Sequence, residues 1–365
     1  MSRILKEQDF KDIITGATFM GAGGGGSPKG GLRLLDELVS LSKAEVTLVR
    51  HQEMADDEWA VMVAEIGAPR AFVGVESFPE TVTAFNLMQD VAAQSGRNIK
   101  YLMAGELGGV NTIVSFYVAA LKGIPVLDAD GNGRAVPELA TDLYAVSNVA
   151  HSPITMASST GDSMVAYVGD PMDHRAAENI ARHVCMAYGQ RAAFCTCVVN
   201  REMIVDRLVP GSMTLCMAVG KAFREAEGIE QLSKALEDEV GAKELFVGNI
   251  SSIELKSERG FDFGITHIDG TDDYADTSIS IGFKNENMLL RERSGKVMAT
   301  VPDLITLANL DTLEPLTNAD TKKGQNVAVF GVRAPENWLK TPKGYACWHH
   351  ILDKLGYVGG YVPVK

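Results

Sequence analysis

The sequence predicts an α/β N-terminal domain with a largely parallel sheet, plus a β-rich α+β C-terminal domain. Three observations lead to this fold class. The chain has 365 residues, enough for two domains of ordinary size. Helical segments alternate with strands over the first 150 residues, whereas short strands separated by turn residues dominate from residue 244 onward. A polar, turn-rich segment, HSPITMASSTGDS, separates the two patterns, so we predict domains at 1–165 and 166–365.

The first half opens with a helical segment around Phe10–Phe19 that runs into a glycine-rich stretch. Ser27 and Pro28 then match a helix N-cap followed by proline at the first helical position. A nearly continuous apolar run, AVMVAEI, is typical of a strand buried in a parallel sheet. In order, the predicted elements after the glycine-rich stretch are helix LRLLDELVSL, strands EVTLV and AVMVAEI, helix PETVTAFNLMQDVAAQSG, strand KYLMAG, helix VNTIVSFYVAALKG, strand IPVLDAD and helix PELATDLYAV.

The second half begins with two helices, AAENIARHVCMAYG and a longer one around Met213–Ala226. Between them, AAFCTCVV alternates like a strand, which places Cys195 and Cys197 on one face. The remaining segments read as an antiparallel, β-rich domain: ELFVGNISSIELKSE, FDFGITHIDG, TSISIGFKN, KVMATVPDLITLA and QNVAVFGVRAP.

Composition narrows the class of partner. A formal charge of −13 argues against nucleic acid, because phosphate binding needs a basic face. No stretch approaches the roughly 18–20 apolar residues that span a bilayer, and the start lacks the pattern of a signal peptide. Five cysteines, with no C-x-x-C pair, favour reduced, mostly buried thiols. We therefore expect a cytoplasmic homo-oligomer that acts on a small molecule, with neither nucleic acid nor membrane as a partner.

The first candidate site is the glycine-rich stretch. Gly23, Gly24, Gly25 and Gly26 expose backbone N–H groups directly before a capped helix, an arrangement suited to an anion or a close planar ligand. The stretch also matches G-x-G-x-x-G, but the strand after the helix ends in Arg-His-Gln rather than in the acidic residue that a ribose requires. A substrate-binding loop, a nucleotide-binding loop and a structural turn all remain open.

Two further loops follow predicted strands, where ligands collect in α/β sheets. Glu65 stands in Ala64–Pro69, and a ligand role and a solvated strand end are equally compatible with its position. Glu106 stands in the next such loop, GELGGVNT, where a strand end would deliver its side chain into a cleft. Asn111 in the same loop either orients a substrate carbonyl or caps the following helix.

The loop from Asp128 to Glu138 is the richest in charge. It combines Asp128, Asp130, Arg134 and Glu138 with two glycines directly after an apolar strand. Carboxylates held close together either bind a metal or act as an acid and base pair, because each shifts the pKa of the other. The spacing does not match a calcium loop. An acidic surface turn is the alternative. Motifs of zinc proteases, serine hydrolases and P-loop enzymes are absent from the sequence.

These loops together resemble a known family. GAGGGGSP, EIGAP, GELGGVNT and DADGNGRAVPEL occur in this order, followed by FKNEN at 283–287, VPDLI at 301–305 and APENW at 334–338. The combination resembles a bacterial and archaeal family named for S-methyl-thiohydantoin desulfurase. Its members are found alongside, or fused to, hydantoinase/oxoprolinase proteins. The resemblance covers nearly the whole chain, in two domains.

The resemblance implies hydrolytic attack on a five-membered cyclic amide or thioamide, with help from a divalent metal ion. The positions it favours are Gly23, Gly24, Gly25, Gly26, Glu106, Asn111, Asp128, Asp130, Arg134 and Glu138.

Our hypothesis is that Asp128, Asp130 and Glu138, with Glu106, hold the metal or share a proton and activate water. The glycine loop would donate N–H groups to the developing anion, while Arg134 or Asn111 orients the ring. The alternative is a non-catalytic ligand-binding or assembly subunit of a hydantoinase/oxoprolinase complex. A third possibility is a dinucleotide oxidoreductase, for which the glycine stretch is the sole support.

Overall fold

The structure, a computed structural model, describes residues 2–67, 75, 77–258 and 260–365. Its strands form two sheets, and the first has nine strands in the described part of the chain. They are β1 Arg3–Leu5, β2 Val46–Val49, β3 Glu58–Gly67, β4 Asn98–Ala104, β5 Val126–Asp130, β6 Ile154–Ala157, β7 Ser163–Ala166, β8 Arg191–Val199 and β9 Val209–Pro210.

The order in this first sheet is β1-β2-β5-β4-β3-β8-β6-β7, with β9 paired to β5. The central strands β2, β5, β4 and β3 are parallel, and the flanking pairs are antiparallel. Parallel neighbours bring the carboxyl ends of β3, β4 and β5 to one edge, which is where ligands bind in such sheets.

The second sheet is antiparallel throughout, in the order β14-β13-β12-β11-β10-β17-β15-β16. Its strands are β10 Lys243–Glu258, β11 Phe261–Gly270, β12 Ser278–Lys284, β13 Glu286–Glu292, β14 Val297–Thr300, β15 Leu304–Asn309, β16 Glu314–Leu316 and β17 Asn326–Val332. The two sheets together confirm the predicted fold class.

The α-helices are α1 Glu7–Met20, α2 Pro28–Ser40, α3 Pro79–Gln94, α4 Asn111–Lys122, α5 Leu143–Val146, α6 His174–Ala187, α7 Arg201–Arg207, α8 Ser212–Glu225, α9 Ile229–Val240, α10 Lys343–Ala346 and α11 His349–Lys354. Ser27 is the N-cap of α2 and Pro28 its first residue, as the sequence indicated. Within the described residues, no helix is both long enough and apolar enough to cross a membrane.

The helix predicted over PELATDLYAV is wrong. The chain instead forms a 3-10 turn at Leu139–Thr141 and the single turn α5. Asp142 breaks the helix because its backbone is extended and its side chain accepts the N–H of Ala145 as an N-cap. Aspartate favours this cap over a position inside a helix.

The prediction for the cysteine pair is also wrong. Cys195 packs into the core on one side of the first sheet and Cys197 into the core on the other. Cys197 has a φ of 56°, and the register between β3 and β8 shifts just there. This bulge inserts a residue and turns the second cysteine to the opposite face. All five cysteines are free thiols, and Cys347 alone is partly exposed.

Strand β8 follows residue 165 yet pairs with β3 and β6 of the first sheet. The first sheet therefore draws on residues beyond the boundary at 165/166, which itself stays a prediction.

Helices α1 and α8 cross in contact through two glycines. A Cβ on Gly16 would lie 1.8 Å from the carbonyl oxygen of Cys216, and a Cβ on Gly220 would lie 1.8 Å from that of Asp12. Backbone atoms cannot move aside as a flexible side chain can. The two helices therefore pack at a distance that only glycine permits.

Gly16→Ala should lower the free energy of unfolding by about 1–2 kcal/mol, because an overpacking cost of about 2–3 kcal/mol exceeds the gain of about 1 kcal/mol that alanine brings to a helix. Denaturant unfolding followed by circular dichroism measures this change. The control is Gly169→Ala, an exposed glycine whose Cβ would meet no atom within 4 Å. Equal stability of the two variants would contradict close packing at this crossing.

Candidate functional site

A cavity of about 760 Å³ opens at the carboxyl edge of the first sheet. Its wall combines the glycine loop before α2, the ends of β3 and β4, and Phe283, Asn285 and Glu286 where β12 meets β13. Gly23, Gly24, Gly25 and Gly26 all line it. Both domains therefore contribute to one site of a size suited to a small molecule.

The glycine loop lies flat against the loop between β4 and α4. The carbonyl oxygen of Gly25 accepts the N–H groups of Val110 and Asn111, both at 3.1 Å. A Cβ on Gly25 would lie 2.5 Å from the Cα of Gly108, and φ there is 71°. A side chain at this point would separate the loops, so glycine is required.

The second sheet holds the same loop from the other side. Asn287 and Asn318 donate their backbone N–H groups to the carbonyl oxygens of Ala22 and Gly23, both at 2.8 Å. A Cβ on Gly24 would lie 2.0 Å from Oε1 of Glu286. The missing side chain thus makes room for this glutamate.

Glu106 occupies the predicted position in the cavity. Its Oε1 accepts the side-chain amide of Asn111 at 2.6 Å, and its Oε2 accepts the N–H of Val136 at 2.8 Å. Burial raises the pKa of Glu106 to about 7 against these two hydrogen bonds, and the charges of Asp130 and Asp142 raise it further. Asn111 therefore orients this carboxylate, and because it also lines the cavity, its contact with a substrate stays a prediction.

Glu286 was not predicted as a site residue. It is buried in the cavity wall, and its Oε2 makes no hydrogen bond within the described residues. Burial, and then the charge of Glu106, hold its pKa well above the usual range. The FKNEN motif contains Glu286, but Glu106 and Gly24, which lie near it in the structure, belong to the other half of the chain. The signal in the sequence was a glutamate between two asparagines where one strand ends and the next begins.

The three carboxylates that were predicted to act together, Asp128, Asp130 and Glu138, each have different hydrogen-bond partners. Asp128 accepts the N–H of Thr214 at 2.9 Å and the hydroxyl of Thr214 at 2.5 Å, so it caps α8. Oδ2 of Asp130 accepts the N–H groups of Asn132 and Gly133, at 2.8 and 2.7 Å. Neither aspartate lines the cavity.

Glu138 does line the cavity but is already paired. It forms an ion pair with the buried Lys284 and a hydrogen bond with Nε2 of His350 at 2.9 Å. Burial lowers the pKa of Lys284 to about 7.

The described part of the chain holds no group of three His, Cys, Asp or Glu side chains placed to bind a metal. The predicted grouping of Asp128, Asp130 and Glu138 around one divalent ion is therefore not formed, and these residues do not fit such an ion.

Arg134 lies outside the cavity, contrary to its predicted role in substrate binding. Its guanidinium is fully buried and donates to the carbonyl oxygens of Ala135, Asn287, Pro302 and Asp303 at 2.8–3.2 Å. Three of these acceptors belong to the second domain. Arg134 therefore ties the two domains together.

The Glu65 loop is described only in part, because Ala68 and Pro69 lie outside the described residues. Glu65 itself lines the cavity, and neither of its side-chain oxygens makes a hydrogen bond within the described residues. Burial and the nearby charge of Glu80 hold its pKa well above the usual range.

Asp130→Asn should stabilise the protein at pH 8. Burial raises the pKa of Asp130 from 3.8 to about 7, so the folded state binds more protons than the unfolded state between these values. Stability contributed by this group therefore falls as pH rises through that window. The gain should reach about 1–4 kcal/mol at pH 8 and shrink at pH 6.5 and again at pH 5, as measured by urea unfolding.

The matched control is Asp128→Asn on the same strand, which should lose stability at each pH because both carboxylate oxygens accept hydrogen bonds from Thr214. A gain from Asp130→Asn that does not change with pH would contradict a titrating buried carboxyl.

Comparison with known proteins identifies the family. The S-Me-THD-like N-terminal domain matches residues 8–167, and the S-Me-THD-like C-terminal domain matches residues 172–359. Among proteins of curated function, none matches this chain. A crystal structure of a protein from Chromobacterium violaceum is similar over 100% of both chains, with a TM-score of 0.86 and 26% sequence identity. The two domain matches span most of the sequence, and the chain belongs to the S-Me-THD-like family.

Proposed function

We propose that this protein is a hydrolase that attacks a carbon of a hydantoin- or thiohydantoin-like ring, with Glu106 as general base and Glu286 as general acid. One observation carries the proposal: a half-buried carboxyl group, Glu106, and a buried one, Glu286, line one cavity in different hydrogen-bonding environments. Membership of the S-Me-THD-like family supports the choice of ring.

Glu106 suits the role of base. Its two oxygens accept hydrogen bonds from Asn111 and Val136, which stabilise and orient the ionised form. A pKa of about 7 leaves a substantial ionised fraction near neutral pH, and it makes the carboxylate a stronger base than an exposed glutamate. Water bound in the cavity beside Glu106 is the nucleophile.

Glu286 suits the role of acid. No donor stabilises its Oε2, and burial favours its neutral form. Two carboxyl groups that line one cavity in environments that shift their pKa values apart can divide the roles of acid and base between them.

The glycine loop suits the binding of a ring carbonyl. The backbone N–H groups of Gly25, Gly26 and Ser27 make no hydrogen bonds within the described residues, and they precede the N-terminus of α2. Free donors beside a helix N-terminus stabilise a carbonyl oxygen or a developing negative charge.

For an S-alkyl thiohydantoin the reaction balances as follows. Glu106 takes a proton from water as the oxygen bonds to the ring carbon that bears sulfur. The carbon–sulfur bond then breaks, and Glu286 gives its proton to the sulfur. The second proton of the water moves from the oxygen to the ring nitrogen, so the products are the oxo ring and a thiol. A proton returning from Glu106 to Glu286 through cavity water restores the starting state. We assign no step to a metal, because the proposed ligands are not grouped.

Glu106→Gln should lower kcat by about 10²–10⁴-fold, because a glutamine cannot accept the proton from water. The measurement is hydrolysis of a panel of hydantoins and S-alkyl thiohydantoins. In the wild type, activity should rise with pH through about 7 as Glu106 ionises, and then fall where Glu286 loses its proton. Glu286→Gln should lower kcat and remove that alkaline limb.

The control is Asp238→Asn, an exposed carboxylate on α9 that pairs with Lys234 and lies outside the cavity. Full turnover by Glu106→Gln would contradict the assignment of the base. Loss of activity after dialysis against a chelator would favour the metal-assisted form of the reaction. A wild type that is inert on every ring but co-purifies with a hydantoinase/oxoprolinase protein would favour the non-catalytic alternative.

A further inference from the structure

Tyr144 is a buried residue of the cavity wall that the acid and base pair does not use. Its side chain is completely inaccessible to solvent, and its hydroxyl makes no hydrogen bond within the described residues. Buried tyrosine hydroxyls usually have a partner, since leaving one unpaired opposes folding. An unpaired donor in the wall of a binding cavity is therefore a candidate contact for the ligand.

The acidic loop builds the position of Tyr144. Helix α5 starts after the cap Asp142, and the N–H of its first residue, Leu143, donates to the side-chain oxygen of Asn132 at 2.7 Å. The Tyr144 ring lies against Gly131, where a Cβ would be 2.1 Å from Cε2. The segment from Gly131 to Asn132 thus provides both the space and the anchor for this ring.

The groups around the hydroxyl keep it protonated. Burial, and then the nearby Cys197, Asp130, Asp142 and Glu106, hold the pKa of Tyr144 well above 10. The ring of His151 packs edge-on at 5.9 Å between centroids. The hydroxyl therefore keeps its proton near neutral pH and can donate a hydrogen bond.

We propose that Tyr144 is a further catalytic residue, whose hydroxyl donates a hydrogen bond to the negative charge that develops on the ring nitrogen or oxygen bonded to the attacked carbon. The proposal rests on the proposed function, because Glu106 delivers the water and also lies close enough to Tyr144 to act on it electrostatically. No bond to the tyrosine forms or breaks. A fixed donor in a cavity of low polarity stabilises such a charge far better than water does.

If the Tyr144 hydroxyl had no role beyond the structure, its removal would leave turnover unchanged. A hydroxyl without a partner contributes nothing to stability, and removing it is neutral or stabilising. Under the catalytic role, the same change removes a contact made in the transition state. Removal of the hydroxyl should therefore lower turnover without lowering stability.

The test is Tyr144→Phe, which keeps the ring between Gly131 and His151 and deletes only the hydroxyl. We expect an unchanged or higher melting temperature, a kcat lower by about 10²-fold, and a KM higher by about tenfold, because the hydroxyl also contacts the bound ring before the reaction. The matched control is Tyr117→Phe. That hydroxyl donates to Glu37 at 3.0 Å outside the cavity, so its removal should lower the melting temperature and leave kcat unchanged.

Full turnover by Tyr144→Phe would overturn the proposal, as would a loss of activity matched by a loss of folded protein. If the wild type hydrolyses none of the rings, the proposed function fails, and calorimetric binding of hydantoin still tests Tyr144. A dissociation constant about tenfold higher in Tyr144→Phe would support a contact between the hydroxyl and the ligand. An unchanged constant would overturn it.

Discussion

The site depends on one steric constraint, the close approach of three backbone segments around the glycine loop. Gly25 lies against Gly108, and Gly24 leaves the space that Glu286 occupies. Backbone hydrogen bonds from both domains then hold the loop in place. Any side chain at these points would push the segments apart. The contact therefore joins the two domains and, by the same geometry, places Glu106 and Glu286 at one cavity.

The second requirement is that some buried charged groups stabilise the fold while others stay available for the reaction. Arg134 is saturated by backbone carbonyl oxygens, and Asp128 caps a helix, so both stabilise the fold. In the cavity wall, Oε2 of Glu286 and both side-chain oxygens of Glu65 lack a hydrogen bond within the described residues, and burial raises the pKa values of Glu65, Glu106 and Glu286. Buried carboxyl groups of this kind lower the stability of the fold. A protein tolerates that loss where a ligand or a reaction uses the groups.

The acidic loop from Asp128 to Glu138 bears on both the family assignment and the geometry of the site. The loop lies within residues 8–167, which match the S-Me-THD-like N-terminal domain, and the sequence predicted that its carboxylates hold a metal. In the fold they instead shape the wall of the cavity: Gly131 and Asn132 position Tyr144, and Asp130 acts on it through its charge. The motif thus supports the groups we propose as reactive.

The sequence by itself determined the two-domain fold class, most helices and strands, the family, and the position of the glycine loop and Glu106 in loops next to helices and strand ends, because hydrophobic periodicity and loop motifs are local signals. Only the tertiary structure decided the rest. The bulge at Cys197, the inter-domain role of Arg134 and the pairing of Glu138 with Lys284 depend on contacts between residues far apart in the chain. Glu286 stands 180 residues after Glu106. No local pattern reports that folding brings these two carboxyl groups to one cavity, where burial shifts both pKa values.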